Sequence, residues 1–237
     1  MRYLNLLASV LVQLCLGGIY AWSEFVPGLT GSYGIGVART QLVFGVSIAA
    51  FTGTMVWAAR LVERRGPGFV ATIGGVLFGI GYLTASFSGG SFFVLLLGIG
   101  VLAGIGTGFG YACPLPTCMR WFPDHRGLVT GVAVAGFGGG AVVLAFLAER
   151  LMGRGLEVLV VFRWVGVAYG AVIVAAARAL RFPAPQASPR WQSAPGFGVL
   201  PRDRFFFGLV VGLFSGTFAG LMVIGNLKPL GLWAGLS

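Results

Sequence analysis

Seven long apolar runs dominate this sequence. A helix needs about 20 consecutive apolar residues to cross a hydrocarbon layer of about 30 Å. Runs of that length are predicted at 4–26, 41–59, 69–87, 92–112, 128–148, 158–179 and 205–225. Hydrophobic residues make up 57% of the chain and charged residues 9%, whereas about a quarter of a soluble domain is charged. The sequence therefore predicts an all-α fold, a polytopic membrane helix bundle.

The stretch between the sixth and seventh runs is polar and rich in proline. Residues 181–204 contain five prolines, a density that excludes a continuous helix and favours an extended linker. We therefore predict a six-helix transmembrane half at 1–180, a cytoplasmic linker at 181–204, and a single helix at 205–237. That last helix would be the first of a second, incomplete half.

The basic residues lie in the short gaps between the apolar runs. With the N-terminus placed in the cytoplasm, 11 of the 16 Lys and Arg residues fall on the cytoplasmic side and 5 on the other. This bias predicts a cytoplasmic N-terminus and a cytoplasmic linker. We expect an integral protein of a bacterial inner (plasma) membrane, with the lipid bilayer as its partner. The formal charge of +10 does not indicate nucleic-acid binding, because the basic residues do not share one polar face.

Four stretches carry recognisable motifs. Residues 17–23 read GGIYAWS, and residues 60–67 read RLVERRGP. Residues 110–140 contain Gly-Tyr, two prolines, RWFPDHRG and GFGGG, and residues 220–229 contain GLM, IG and KP. Together these stretches resemble the oxalate/formate antiporter family of the major facilitator superfamily. Two residues depart from the usual loop pattern: Glu63 stands where Asp is usual, and Gly68 stands where a basic residue is usual.

The resemblance implies a secondary active transporter of small carboxylate anions that works by alternating access. Its exchange would be of the oxalate/formate or monocarboxylate antiport kind. Family members have twelve spans in two halves, and basic side chains of the second half are thought to hold the anion. This chain would be the N-terminal half plus the seventh helix. We therefore expect it to need the missing C-terminal half or a second copy for coupled transport.

Four polar side chains in the spans are candidates for the substrate pathway. Tyr20 and Trp22, in the GGIYAWS motif, each combine an apolar ring with one hydrogen-bond donor, as does Tyr111 near the predicted end of the fourth run. The alternative for these aromatics is anchoring at the membrane interface. Gln13 is a polar group at depth in the first run, and it either lines the pathway or bonds a neighbouring helix.

The predicted cytoplasmic loops contain five charged candidates for gating, where contacts between helix ends would bias inward-closed against inward-open states. They are Glu63, Arg64, Arg65, Asp124 and Arg126. The alternative is that these residues only set the topology. His125, between the last two, is expected to be a solvated loop residue and not a proton relay.

Small residues recur at every fourth position in several runs. Such a pattern places them on one helix face and permits tight helix contact. The second run has Gly45, Ala49 and Gly53, and the fourth begins its series at Gly100. The packing glycines that we predict in the fourth and fifth runs are Gly104, Gly108, Gly131, Gly136 and Gly139.

Other function classes find little support. Three cysteines without a CxxC pair, together with one histidine, offer no metal-ligand set, so no metal and no cofactor are expected. The spans lack the clustered His, Asp, Glu or Cys of an enzyme site, so we predict that the chain is not an enzyme. A seven-helix receptor or photoreceptor remains an alternative, although a retinal protein needs a lysine within the last span, and Lys228 is predicted to lie beyond it. A non-functional remnant is the other alternative.

Overall fold

The computed structural model describes residues 1–183 and 204–234, which divide into two compact units, Met1–Phe182 and Pro183–Ser237. The predicted linker falls almost wholly on residues 184–203, outside the described residues. Seven helical segments are long and apolar enough to cross a membrane. We name them spans 1 to 7: Arg2–Glu24, Val37–Arg65, Pro67–Ser86, Phe92–Trp121, Pro123–Gly153, Val158–Ala177 and Phe206–Gly231. The predicted all-α membrane bundle is confirmed.

The spans contain local departures from the α-helix. Span 1 is α-helical over Arg2–Gly17 and continues as a 3-10 helix over Gly18–Glu24. A short helix, Val26–Tyr33, then leads to span 2. Span 4 contains a π-helical segment, Leu96–Ala103, and a turn after Tyr111 before helix resumes over Pro114–Trp121. The π segment and the turn interrupt the regular α-helical hydrogen bonding of span 4 without ending the span.

Side-chain contacts define the two ends of the first unit. At one end, Trp121 Nε1 donates to the Arg181 carbonyl at 2.7 Å, and the Arg181 N–H donates to Asn5 Oδ1 at 2.8 Å. We call this the linker end. At the other, the far end, the Tyr33 hydroxyl donates to Glu157 at 2.9 Å. The chain therefore alternates direction from span to span, as short connections between antiparallel helices require.

The turn between spans 2 and 3 explains one of the sequence motifs. Gly66 has φ +84°, a region that favours glycine, and Pro67 follows at the first position of the next helix. Proline is tolerated there because its missing N–H would have no intrahelical partner. The Gly-Pro pair thus ends span 2 and starts span 3 within one turn of chain.

Span 4 packs on span 2 through a ladder of glycines. A Cβ atom at Gly104 would lie 2.7 Å from the Ser47 carbonyl oxygen, and one at Gly108 would lie 2.6 Å from that of Phe51. Real Cβ atoms do not approach so closely, so only glycine fits these positions without a shift. Gly104 and Gly108 therefore pack as their spacing indicates. On the small-residue face of span 2, no described residue lies within 4 Å of a Cβ at Gly45 or Gly53.

Spans 1 and 5 also pack against each other through glycines, and of these Gly136 was predicted and Gly140 was not. A Cβ at Gly140 would overlap the Leu14 carbonyl, and one at Gly136 would lie 3.3 Å from the Val10 carbonyl oxygen. Among the described residues, no atom lies within 4 Å of a Cβ at Gly131 or Gly139, so the packing role of these two glycines stays a prediction. The helix turns 100° between neighbouring residues, so Gly139 points away where Gly140 points inward.

The second unit is described by a single helix, Arg204–Trp233, with Pro229 inside it. This helix is longer than the predicted run. It includes Lys228 within its membrane-length portion, Phe206–Gly231, so the expectation that Lys228 lies beyond the last span was wrong. The composition of residues 226–231 is less apolar than that of the rest of the span, which is why hydropathy alone ended the run early.

Candidate functional site

Four aromatic rings from four different spans form one cluster in the first unit. Phe137 of span 5 is central: its ring centroid lies 5.4 Å from that of Tyr20 and 5.0 Å from that of Tyr111. Phe51 of span 2 lies 5.3 Å from Tyr111 and 6.2 Å from Phe137. Phe51 is the midpoint of Val37–Arg65, so the cluster lies at mid-depth of that span. We call these four residues the aromatic cluster.

Glycines of the sequence motifs bring the two tyrosines to this place. A Cβ at Gly17 would overlap the Phe137 carbonyl, so glycine there lets span 1 touch span 5 directly. Tyr20 follows within the same segment and reaches the Phe137 ring. On span 4, a Cβ at Gly110 would lie 2.7 Å from a Leu16 side-chain carbon, so glycine beside Tyr111 permits close contact with span 1. The motif glycines therefore set the spacing of the rings.

Tyr111 lies deeper in its span than predicted. Pro114 and Pro116 do interrupt the helix, but Pro114 takes the first position of a new helical segment that runs to Trp121. Proline is acceptable there for the same reason as at Pro67. Span 4 is consequently 30 residues long, and Tyr111 is interior to it instead of near its end. At this depth the Tyr111 ring contacts the same Phe137 ring as Tyr20.

The cluster offers hydrogen-bond donors in a neutral, apolar setting. Phe51 and Phe137 are buried, whereas Tyr20 and Tyr111 are half-buried. Neither tyrosine hydroxyl is hydrogen-bonded to a protein group among the residues that the structure describes. The rings meet mostly edge to face, with interplanar angles of 85°, 76° and 71° for three of the four pairs. Ring edges carry partial positive charge, so hydroxyl donors and ring edges together can contact an anion.

Trp22 and Gln13 take other positions. Trp22 is 3% exposed, stacks on Phe162 at an interplanar angle of 8°, and donates its only N–H to the Thr40 carbonyl at 3.1 Å. Its single donor is therefore already used. Gln13 is fully buried, and neither polar atom of its side chain has a partner among the described residues. The hydrogen bond to a neighbouring helix that the sequence suggested is thus not seen there.

The five charged loop candidates lie at the linker end, and one of them forms an ion pair within residues 1–183. Arg120 donates to both carboxylate oxygens of Glu63 at 2.7 Å, joining the ends of spans 2 and 4. Arg64, Arg65, Asp124 and Arg126 are exposed. His125 is exposed as expected, in a 3-10 turn, Pro123–His125.

Sequence reasoning missed two members of the cluster, Phe51 and Phe137. Both are apolar residues in apolar runs, so composition gave no signal. Nearby glycines were the available signal: Phe137 lies inside GFGGG, and Phe51 lies two residues before Gly53. Among the described residues no group of three or more His, Cys, Asp or Glu could hold a metal ion.

These features define an integral membrane protein whose six-helix unit carries an aromatic cluster between spans 1, 2, 4 and 5. The chain belongs to the Major Facilitator Superfamily, whose family profile matches residues 6–236. It is 27% identical over 239 residues to "Uncharacterized MFS-type transporter YhjX" of Escherichia coli (strain K12), covering 97% of this chain and 58% of the relative. It is 30% identical over 243 residues to "Oxalate:formate antiporter" of Oxalobacter formigenes, covering 100% of this chain and 57% of the relative.

A more distant relative is "Apicoplast pyruvate carrier 1" of Toxoplasma gondii, 29% identical over 188 residues, which cover 63% of this chain and 34% of the relative. The chain thus spans somewhat more than half the length of the first two relatives. Membership of this transporter family over residues 6–236 replaces the receptor and photoreceptor alternative.

Proposed function

We propose that this chain supplies one half of a secondary carrier of small carboxylate anions, and that the aromatic cluster forms its side of the substrate site. The observation that carries the proposal is the meeting of Tyr20 and Tyr111, from spans 1 and 4, on the ring of Phe137. Relatives named as an oxalate:formate antiporter and a pyruvate carrier support the carboxylate class.

The cluster alone is suited to orient a carboxylate and not to neutralise it. Desolvating an anion is costly unless charge or several donors compensate. Tyr20 and Tyr111 offer two neutral donors, and among residues 1–183 no cation lies in the cluster. We therefore propose that positive charge comes from the half-carrier that packs opposite, as in alternating access between two halves around a central site. The ligand assays below therefore use the protein with both halves present, either as a longer continuous chain or as a dimer of this one.

The direction of insertion is also a proposal. Within residues 1–183 the linker end carries eight arginines and two carboxylates, whereas the far end carries four arginines and three carboxylates. This asymmetry supports a cytoplasmic linker end in a bacterial inner membrane. Single cysteines introduced at Arg126 and Arg154 in intact cells test it. An impermeant maleimide should label position 154 and not position 126, and the reverse pattern would invert the topology.

Ligand-induced stabilisation tests the substrate class. Cys15, Cys113 and Cys118 are buried and free, so a thiol-reactive dye reports unfolding of the purified protein in detergent. A ligand at ten times its dissociation constant stabilises by about 1.4 kcal/mol, or about 3–6 °C for a chain of this size. Three carboxylates, oxalate, formate and lactate, are compared with two controls. The controls are oxamide, the neutral analogue of oxalate, and sulfate, an anion without a carboxylate.

We expect at least one carboxylate to raise the melting temperature and oxamide to leave it unchanged. Equal shifts with oxamide would show that charge is not recognised, and equal shifts with sulfate would show that any anion suffices. Either result contradicts a carboxylate site. The rank order of the three carboxylates assigns the substrate within the class.

A further inference from the structure

A pocket that shares no residue with the aromatic cluster lies at the linker end, between the start of span 3 and the end of span 6. Its volume is about 440 Å³, and three arginine residues line it together with apolar residues. The basic residues are Arg65, Arg178 and Arg181, and the apolar ones include Phe69, Leu180 and Phe182. We call it the arginine pocket.

The arginine pocket depends on a residue by which this chain departs from its family's usual loop. A Cβ at Gly68 would lie 2.7 Å from the Ala177 carbonyl oxygen and 2.8 Å from that of Leu180. Glycine therefore lets the start of span 3 press against the backbone at the end of span 6. The basic side chain usual at this position could not be placed here without moving the two helices apart. The close approach places Arg65, just before this turn, in the same pocket as Arg178 and Arg181.

One wall of the pocket is held in place by hydrogen bonds from two other spans. The Arg181 N–H donates to Asn5 of span 1, and the Arg181 carbonyl accepts from Trp121 of span 4. The neighbouring Phe182 ring lies 3.8 Å below the Arg120 guanidinium. The chain segment that carries Arg181 is therefore fixed before any ligand binds.

In the part of the chain that the structure describes, no carboxylate forms an ion pair with Arg65, Arg178 or Arg181. Glu63, two residues before Arg65, is bound to Arg120. Three like charges around one cavity favour a polyvalent anion, and the planar guanidinium fork matches a phosphate group in particular.

An exposed apolar surface beside the pocket favours the phosphate group of a lipid over inorganic phosphate. Phe69, Val76 and Ile80 follow one another along the outer face of span 3 and are 50%, 45% and 48% exposed. This apolar track leads from the arginines toward the middle of the span. A ligand with a phosphate head and acyl chains fits both parts, whereas inorganic phosphate uses only the first.

We propose that the arginine pocket binds the headgroup of an anionic phospholipid, whose acyl chains lie along span 3. Each arginine near a membrane surface strengthens binding of anionic lipid, and removal of all three is expected to weaken it by about 100-fold. The bound lipid would join spans 3 and 6 to the first residues of the linker.

Native mass spectrometry of the full chain, titrated with phosphatidylglycerol or phosphatidylcholine, tests this proposal. The wild type should retain one phosphatidylglycerol under conditions that remove phosphatidylcholine. The variant with Arg65→Gln, Arg178→Gln and Arg181→Gln should lose that lipid. A matched variant with Arg60→Gln, Arg64→Gln and Arg126→Gln removes the same charge from the same end but outside the pocket, and it should retain the lipid.

Three results would overturn the proposal: equal retention of both lipids by the wild type, equal loss in the two triple variants, or displacement of phosphatidylglycerol by millimolar inorganic phosphate alone. The last result would assign the pocket to a soluble phosphate. If the pocket variant does not fold, as judged by the thiol-dye melting curve, the three single variants are titrated instead. Each should then weaken retention severalfold, and three unchanged affinities would refute the proposal.

Discussion

Two neighbouring glycines of span 5 offer a sharp test of the packing between spans 1 and 5. Gly139 and Gly140 share one helix, Arg126–Gly153, and both replacements by alanine add one methyl group. A Cβ at Gly140 would overlap the backbone carbonyl of Leu14, whereas no atom of residues 1–183 or 204–234 lies within 4 Å of a Cβ at Gly139. We therefore expect Gly140→Ala to destabilise the protein relative to Gly139→Ala.

The magnitude follows from two terms. Replacing glycine by alanine inside a helix favours folding by about 0.8–1.0 kcal/mol, and this term is shared by the two variants, so it cancels in their difference. What remains is the cost of moving two helix backbones apart, and overpacking of this kind costs about 1–3 kcal/mol. The clash at Gly140 is with backbone, which no side-chain rotation can relieve.

Thiol-dye melting of the two purified variants measures the difference. At about 2–4 °C per kcal/mol, Gly140→Ala should melt about 2–12 °C below Gly139→Ala. The three buried cysteines are unchanged in both variants, so the readout is the same. Equal melting temperatures, or a lower value for Gly139→Ala, would refute the direct contact between spans 1 and 5.

Three further predictions concern single contacts. Trp22→Phe removes the N–H that donates to the Thr40 carbonyl and leaves a small void, so it should cost about 1–3 kcal/mol in the same assay. Burial and the Glu157 carboxylate raise the pKa of Tyr33, so its bond to Glu157 contributes fully below the unfolded-state pKa and is lost as pH rises through the folded-state value. The wild type should thus melt above Tyr33→Phe at pH 8, and that advantage should shrink as the pH rises above about 10, the unfolded-state value. Glu63→Gln breaks an ion pair whose side chains are 41% and 56% exposed, so it should change stability by less than about 1 kcal/mol.

The number and order of the spans follow from hydropathy, because crossing a membrane demands long apolar runs. Their rotation about their own axes does not. Gly136 and Gly139 look equivalent in sequence, yet a Cβ at Gly136 would lie beside the Val10 carbonyl, and one at Gly139 would meet no described residue within 4 Å. Helix rotation is set by contacts between spans, and single-sequence patterns do not record which partner a face meets.

Only part of the candidate site could be predicted, again because a sequence pattern does not show which neighbours a side chain will meet. Tyr20 and Tyr111 stand out because tyrosine is a polar residue in apolar surroundings, and the structure brings both to the ring of Phe137. Trp22 stands out equally, but its N–H is taken by Thr40. The sequence could not separate these cases, since both depend on the neighbours that a side chain meets after folding.

The proposed site is tested most directly by removing its two hydroxyl groups. We would measure the rise in melting temperature caused by the best carboxylate in the wild type, Tyr20→Phe, Tyr111→Phe, the double variant, and the control Tyr82→Phe from the separate ring pair with Phe78. Each single variant is expected to lose most of the shift, the double variant to lose all of it, and Tyr82→Phe to keep it. A full shift in the double variant would contradict the assignment of the aromatic cluster as the anion site.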